Sequence, residues 1–378
     1  MNRIASSPLW PGVPLALAAA LLFGATAPLS KQLLGSVDPQ LLAGLLYLGA
    51  GLGLAGIRFV RNAVGLPSPE TPLRRADMPW LAAVIVFGGI LGPLLLMLGL
   101  QRTDAASGSL LLNLEGLATM AIAWLVFREN VDRRLLIGAF AILLGAVVLS
   151  WQGQTWQGQT WQGQTWQGQT WQGQLWNAQQ VSLDAGAAFI AAACLAWGID
   201  NNLTRKLSSS DPVEIAFAKG LAAGVVNIAI AFTRGAQMPP ASMAGAAAIV
   251  GFLGVGVSLV LFVLALRHLG AARTGAYFSL APFVGAVVAI GFLHEPATLK
   301  LLLAGLLMAL GLWLHLAERH NHEHRHGAID HEHAHVHDEH HTHVHAGPVS
   351  EPHSHPHRHE PLTHAHVHYP DQHHRHDH

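Results

Sequence analysis

The chain of 378 residues contains a single cysteine, Cys194. No intrachain disulfide can form, and the redox compartment cannot be inferred from cysteine usage. Charge is scarce too: Asp, Glu, Lys and Arg make up 11% of the sequence, against about 25% in soluble domains. No Lys or Arg occurs between Arg134 and Arg205. The apolar segments contain no H-E-x-x-H pair and no Gly-rich strand-turn-helix for phosphates. The Ser107–Ser109 "SGS" is too short, and too close to a helix start, to suggest a nucleophile. These gaps argue against an enzyme, and the lack of a basic surface argues against a nucleic-acid partner. The net charge of -1 points to nothing.

What the sequence has instead is apolar length, with 51% hydrophobic residues. Ten apolar segments can be marked, at 13–34, 40–60, 79–99, 105–127, 135–150, 183–205, 213–233, 243–266, 272–293 and 299–317. A membrane helix needs about 20 such residues. The connections are short, as in "VDPQ", "QRTD", "SSSDPVE" and "QMPPAS". The segments are rich in Gly and Ala, which lets membrane helices approach closely. A soluble fold of this composition would lack a polar exterior. The first segment has no small-residue cleavage site and reads as a retained helix. The expected fold is therefore an all-α integral membrane protein with ten transmembrane helices.

Positive charge orients the spans. Arg58, Arg61, Arg74, Arg75, Arg128, Arg133, Arg134, Arg205, Lys206, Arg267 and Arg273 gather on one face, against Lys31, Arg102, Arg234 and Lys300 on the other. Both termini are thus expected in the cytoplasm, in a multi-pass protein of the plasma (inner) membrane. The sequence also repeats itself. "LQRTDAASGSLLLNLEG…FRENVDRRLLIGAFAILLGA" lies over "LRHLGAARTGAYFSLAP…LHEPATLKLLLAGLLMALGL", pairing Leu100 with Leu266, Leu114 with Leu280, Glu129 with Glu295 and Gly145 with Gly311. Upstream, "LLFGATAPLSK" matches "LAWGIDNNLTR", and Asp38-Pro39 matches Asp211-Pro212. A repeat of five spans must lie inverted relative to its partner, an arrangement typical of transporters. The expected division is a cytoplasmic stretch 1–12, repeats 13–150 and 183–317, a loop 151–182 between them, and a tail 318–378.

The segments "SGSLLLNLEGLATMAIAWLVFRE" and "TGAYFSLAPFVGAVVAIGFLHEP", each followed by a Gly-punctuated last helix, resemble the EamA repeat of the drug/metabolite transporter superfamily. The resemblance covers roughly 13–317. In that family a helix with small residues and a central proline ends in an acidic residue. Pro282, Glu129 and Glu295 fit, whereas Gly116 stands where the first-half proline would be. The resemblance implies ten helices, a central cavity and alternating access. It does not imply a substrate, since the family spans amino acids, sugars, nucleotides and drugs.

Ionisable groups inside a membrane are costly and mark function. Glu115 lies mid-way along the fourth segment, flanked by Asn113 and Gly116, which weaken the helix there as Pro282 does at the equivalent point of the ninth. Matching helix breaks at Gly116 and Pro282 would point to a transport site. "WGIDNN" places Asp200 and Asn201 in the sixth segment, where Asp200 could carry a proton or a cation. Tyr277 and Ser279 fall at the level of Glu115 in the repeat alignment and are candidate cavity lining. Lys219 and Glu214 open the seventh segment, with a spacing that suits interfacial snorkelling or pairing.

The tail from Arg319 contains all but three of the 26 histidines. Almost nothing in it could build a core, so disorder is expected without a ligand. Where the backbone is extended, the motif H-x-H puts both rings on one side, and neutral imidazoles bind divalent metals. The candidate ligands are His320, His322, His324, His326, His331, His333, His335, His337, His340, His341, His343, His345, His353, His355, His357 and His359. Zn, Ni, Co or Cu would suit them, and affinity alone does not choose. The expected partners are the lipid bilayer and a small-molecule or metal-ion substrate, and a homodimer is compatible with this architecture. Three readings stand: a secondary carrier of a small metabolite with a metal-binding tail, a transition-metal transporter whose tail collects its cargo, and a membrane-anchored metal store.

The loop "WQGQTWQGQTWQGQTWQGQTWQGQ" repeats every five residues, a period of neither helix nor strand. Its tryptophans suit the membrane interface, but tandem expansion without function is the expectation. Deleting Trp151 to Gln174 should leave folding and transport nearly intact, as read by size-exclusion profile and vesicle uptake.

Overall fold

The computed structural model describes residues 12–65, 73–127, 133–151, 184–207, 210–316, 320–326, 329–335, 353–359 and 362–368. The WQGQT loop, Glu129 and the histidines His337, His340, His341, His343 and His345 lie outside these residues. The first half comprises α1 (Gly12–Leu33), α2 (Pro39–Ala63), α3 (Met78–Val84), α4 (Gly92–Leu100), α5 (Ala105–Leu111), α6 (Leu114–Phe127) and α7 (Arg133–Ser150). The second comprises α8 (Ala185–Thr204), α9 (Pro212–Thr233), α10 (Ala241–Gly251), α11 (Ser258–Phe278), α12 (Ala281–Phe292) and α13 (Leu299–Leu316).

Seven helical stretches among the described residues are long and apolar enough to cross a membrane: Gly12–Leu33, Pro39–Ala63, Arg75–Leu100, Ala105–Val126, Arg133–Ser150, Val213–Thr233 and Ala241–Ala265. The shorter apolar helices Ala281–Phe292 and Leu299–His315 join them. α8 has the length but also carries Asp200, Asn201 and Asn202 near its C-terminal end. Large apolar side chains such as Phe59, Leu125, Leu299 and Leu306 stand largely exposed around the bundle. A water-soluble monomer rarely exposes so much contiguous apolar surface; lipid is its natural solvent. The protein is a multi-pass all-α membrane protein.

The two halves pack in matched ways. α1 lies against α11 and α12, just as α8 lies against α4 and α6. α2 packs on α9 and α7 on α13, so these equivalent helices meet across the centre, and α5 packs on α12. The Asp-Pro pairs noted in the sequence are equivalent helix starts. Asp38 accepts from the backbone N–H groups of Gln40 and Leu41, and Asp211 from that of Val213, each with proline in the first turn. Proline there sacrifices a donor the helix would leave unbonded anyway. α2 and α9 run antiparallel. Arg234 at the end of α9 donates to Gln40 at the start of α2 (2.9 Å), while Arg58 near the end of α2 reaches Glu214 at the start of α9 (3.7 Å). Their backbones touch at Gly51 and Gly220, where a Cβ on Gly220 would come within 2.8 Å of the Gly51 nitrogen.

Helix ends find partners across the bundle. Lys31 donates to the carbonyl of Leu100 and Lys300 to that of Trp151, cations placed where unbonded carbonyls and the helix dipole favour them. Glu295 accepts from the N–H groups of Ala105 and Ala106 at 2.8 and 2.7 Å, so it serves as a cap for α5.

Three expectations differ from the structure. Helix α11 continues through the connection expected at 267–271. The first-half equivalent contains Asp104, which caps α5 through Ser107 N–H, whereas "RHLGAART" supplies no such cap and no proline. The helix breaks do match between halves, but they sit at Leu112–Asn113 and Ser279–Leu280 rather than at Gly116 and Pro282. Backbone bonds tighten to three-residue spacing there, from Asn113 to Leu110 and from Leu280 to Tyr277. Pro282 occupies the first turn of α12, where proline is tolerated, and Gly116 lies inside α6. Finally, the tail carries strands β1 (His320–His326), β2 (Ile329–His335), β3 (His353–His359) and β4 (Leu362–His368) where a structureless tail was expected. β1 pairs with β4 and β2 with β3, both antiparallel. Alternation of period two in both arms is the pattern of a strand, and it lets the two arms form ladders.

Gly220→Val should push α2 and α9 apart and sharply reduce the monodisperse fraction on size exclusion. Asp38→Ala removes the helix cap of α2 and should cost about 1 kcal/mol, read as a small drop in melting temperature in detergent.

Candidate functional site

The most polar place inside the bundle begins with backbone geometry. Between α3 and α4, residues Ile85–Leu91 form a π segment, and residues Phe252–Val257 form another between α10 and α11, at matching places of the two halves. A π segment inserts a residue and leaves carbonyls out of the α ladder. In hydrocarbon such groups need other donors. The Tyr47 hydroxyl (2.8 Å) and Trp197 Nε1 (3.1 Å) both donate to the carbonyl of Gly88, and Asn227 Nδ2 donates to that of Gly89 at 3.2 Å.

The charged groups gather beside this segment. Asp200, 5% exposed, pairs through Oδ2 with Lys219 Nζ at 2.5 Å, and Thr204 lies 3.4 Å from Oδ1. The pair presses on Gly88, because a Cβ there would overlap the Asp200 carboxylate and the Lys219 ammonium. Only a bare backbone at position 88 leaves room for the ion pair. Such a pair is held against a large desolvation cost, so removing one partner is far worse than removing both.

Glu115, just past the break in the fourth span, accepts from Asn201 Nδ2 at 3.0 Å. The same amide donates to Thr119 Oγ1 at 3.1 Å, and the neighbouring Asn202 amide donates to the carbonyls of Thr119 and Gly198. Among the described residues no basic side chain forms an ion pair with Glu115, although it lies within electrostatic reach of Asp200 and Lys219. α6 and α8 can come this close because Gly198 faces Ala118 and Thr119, with no space for a side chain. At the break itself, the buried Cys194 thiol approaches the carbonyls of Leu111 and Leu112 at 3.7 and 4.0 Å, partly meeting the bonding demand that the break creates. Asn202 and Asn227 each keep a buried side-chain oxygen with no donor among the described residues.

The structure therefore brings Glu115, Asn201 and Asp200 into one neighbourhood, and adds Lys219, Tyr47, Trp197 and Asn227. Asn113 is buried apart from them, donating to Leu110 in its own helix and lying 3.8 Å from Met308 sulfur. Tyr277 packs beside Ala16, Ala265 and Leu269, and the Ser279 hydroxyl donates to Gly275 of its own helix. The repeat alignment could not give which side of the helix these two occupy. Lys219 looked like an interfacial residue because its partner lies on another helix. The π segments had one visible signal, the Gly88-Gly89 pair, which is also ordinary for close helix packing.

Lys219→Met alone should lower stability by about 3–5 kcal/mol, because Asp200 is left buried without a counter-charge. The double variant Asp200→Asn with Lys219→Met should recover most of that loss. Thermal melts in detergent, arranged as a double-mutant cycle, measure both.

Comparison with known proteins agrees with this architecture. A curated relative from Methanothermobacter thermautotrophicus, described as an "Uncharacterized transporter", is 29% identical over 315 residues, covering 81% of this chain and 86% of its own. A solved structure described as "Crystal structure of protein" superposes with a TM-score of 0.54 at 18% identity, covering 80% of this chain and 95% of its own. That likeness concerns the fold. The model of the EamA-like transporter family matches residues 10–151 and 184–317, one match in each half. With so much of its length matched, this protein belongs to the EamA-like transporter family.

Proposed function

We propose that this protein is a secondary carrier that moves a small metabolite by alternating access, and that its pathway runs past Glu115, Asn201, Asp200 and Lys219. The observation that carries this reading is the gathering of two carboxylates, one ammonium and several carboxamides where α6 of the first half meets α8 of the second, with Lys219 of α9 paired to Asp200. Polar groups in hydrocarbon are retained where they line a route or a site. The antiparallel course of the equivalent helices α2 and α9 supports an inverted repeat, in which the two halves rock about a shared centre.

The chemistry of the cluster favours what it would bind. Glu115 and Asp200 outnumber Lys219, and the side-chain oxygens of Asn202 and Asn227 add unused acceptors. A solute or coupling ion that brings hydrogen-bond donors or positive charge satisfies them. A proton taken up by Glu115 does so most simply, with the solute gradient or an ion gradient as the energy source. The cytoplasmic tail binds a divalent transition metal in this reading and serves as an accessory. Among the described residues of the helical body, no three His, Cys, Asp or Glu side chains are grouped to hold a metal ion, which favours an organic solute over a metal as cargo.

The test begins with a strain lacking the protein, grown across panels of metals and metabolites with intracellular contents measured. The solute that responds is then followed in proteoliposomes. Glu115→Gln should abolish or uncouple uptake while expression and melting temperature stay near those of the parent; unchanged uptake would remove Glu115 from the pathway. Deleting the tail should spare flux of an organic solute, and a change in metal flux alone would favour metal as the cargo.

A further inference from the structure

We propose that each metal ion taken by the tail is held between its two arms, joining histidines of 320–335 to histidines of 353–368 and clamping the tail into one antiparallel ladder. The inference rests on the reading that the tail binds divalent metal, and it specifies how.

Register decides which histidines meet. β1 and β4 pair His320 with His368, His322 with His366 and His324 with His364. β2 and β3 pair His331 with His357, His333 with His355 and His335 with His353. The two ladders share a single register: from His326–Leu362 to Ile329–His359, each arm advances by the same three residues. That agreement is not a by-product of alternation. In the first arm the histidines change phase between His326 and His331, and in the second between His359 and His364. The two changes fall at the same level of the ladder, so one register opposes histidine to histidine on both sides of it. A slip by a single residue would oppose histidines to other residues in both ladders.

Directly opposed residues share a face and lie with Cβ atoms about 4.5–5.5 Å apart; the next such level is about 6.6 Å along the strand. Two successive levels thus bring together four histidine positions, two from each arm, over the span of a four-coordinate site. A single strand offers only two over the same distance. Zn(II), Co(II), Ni(II) and Cu(II) accept nitrogen sets of this kind. Each ladder has three opposed levels, enough for one fully four-coordinate ion, so about two tightly held ions per protein molecule are expected. A lone two-stranded ladder is marginal in water, and metal affinity would stabilise it directly because the site exists only when the arms are paired.

The test uses the full-length protein in lipid nanodiscs with Zn(II) as the probe. Spin labels are placed through Arg325→Cys and Ser354→Cys, while the buried Cys194 is left unlabelled. In the ladder the partner of Arg325 is Thr363, nine residues from Ser354, so the labels should lie about 30 Å apart. About two equivalents of Zn(II) should convert a broad distance distribution into one narrow peak there. A variant in which the same residues of 353–368 are rearranged to cluster the histidines should still bind Zn(II) but keep the broad distribution. Binding without narrowing, or an equally narrow peak in the rearranged variant, overturns the clamp while leaving a metal-binding tail. Absence of Zn(II) uptake overturns both.

Discussion

A polar group placed in hydrocarbon calls for a partner within the protein, and much of the interior of the bundle is organised around that demand. The Asp200–Lys219 pair is the clearest instance. It needs the bare backbone of Gly88 beside it, and Gly88 lies within a segment of wider π geometry. The π geometry in turn frees carbonyls, which call for the Tyr47 hydroxyl, the Trp197 indole and the Asn227 amide. Charge, glycine and aromatic donor are thus one arrangement, and changing any of them alters what the others must satisfy.

The frame of the protein is duplicated, but its charges are not. Both halves have an Asp-Pro helix start, a π segment in the third span and a break in the fourth. Yet by the same repeat alignment the counterparts of Glu115, Asp200, Asn201 and Lys219 are Ala281, Thr26, Ala27 and Leu46. Gly24 and Gly198 show the contrast at close range. Each allows its helix to approach the fourth span of its own crossing, at Ala281 in one case and Ala118 in the other. One crossing is apolar and the other holds the polar cluster. Packing is therefore the inherited symmetrical property, and the chemistry has been laid onto one side of it.

Much of the fold was legible in the sequence because membrane helices announce themselves by apolar length, and the Asp-Pro starts by a cap followed by proline. The fourth-span breaks were legible as weaknesses, though the turn falls a few residues before Gly116 and Pro282. Asn113 sets its place by bonding back to Leu110, a local competition that no periodicity displays. Glu115 and Asp200 stood out as carboxylates in apolar surroundings. Asn201 stood out beside Asp200, but its pairing with Glu115 and that of Lys219 with Asp200 did not, since both meet across helix interfaces that depend on rotation about each axis. Tyr277 and Ser279, expected at the cavity, pack elsewhere for that same reason. The tail showed its alternation at once, but the mirrored phase changes of its two arms appear only when one arm is written against the reverse of the other.

The two π segments carry a mechanical consequence of their own. Each stores one surplus residue in a helix that is otherwise regular, a dislocation rather than a hinge. Moving such a dislocation along by one turn exchanges a few backbone bonds and rotates the intervening residues by about 100°. The dislocations occupy equivalent stations in the two halves, and the one at Gly88 lies directly against the buried ion pair, so such a shift there would alter the pair's surroundings.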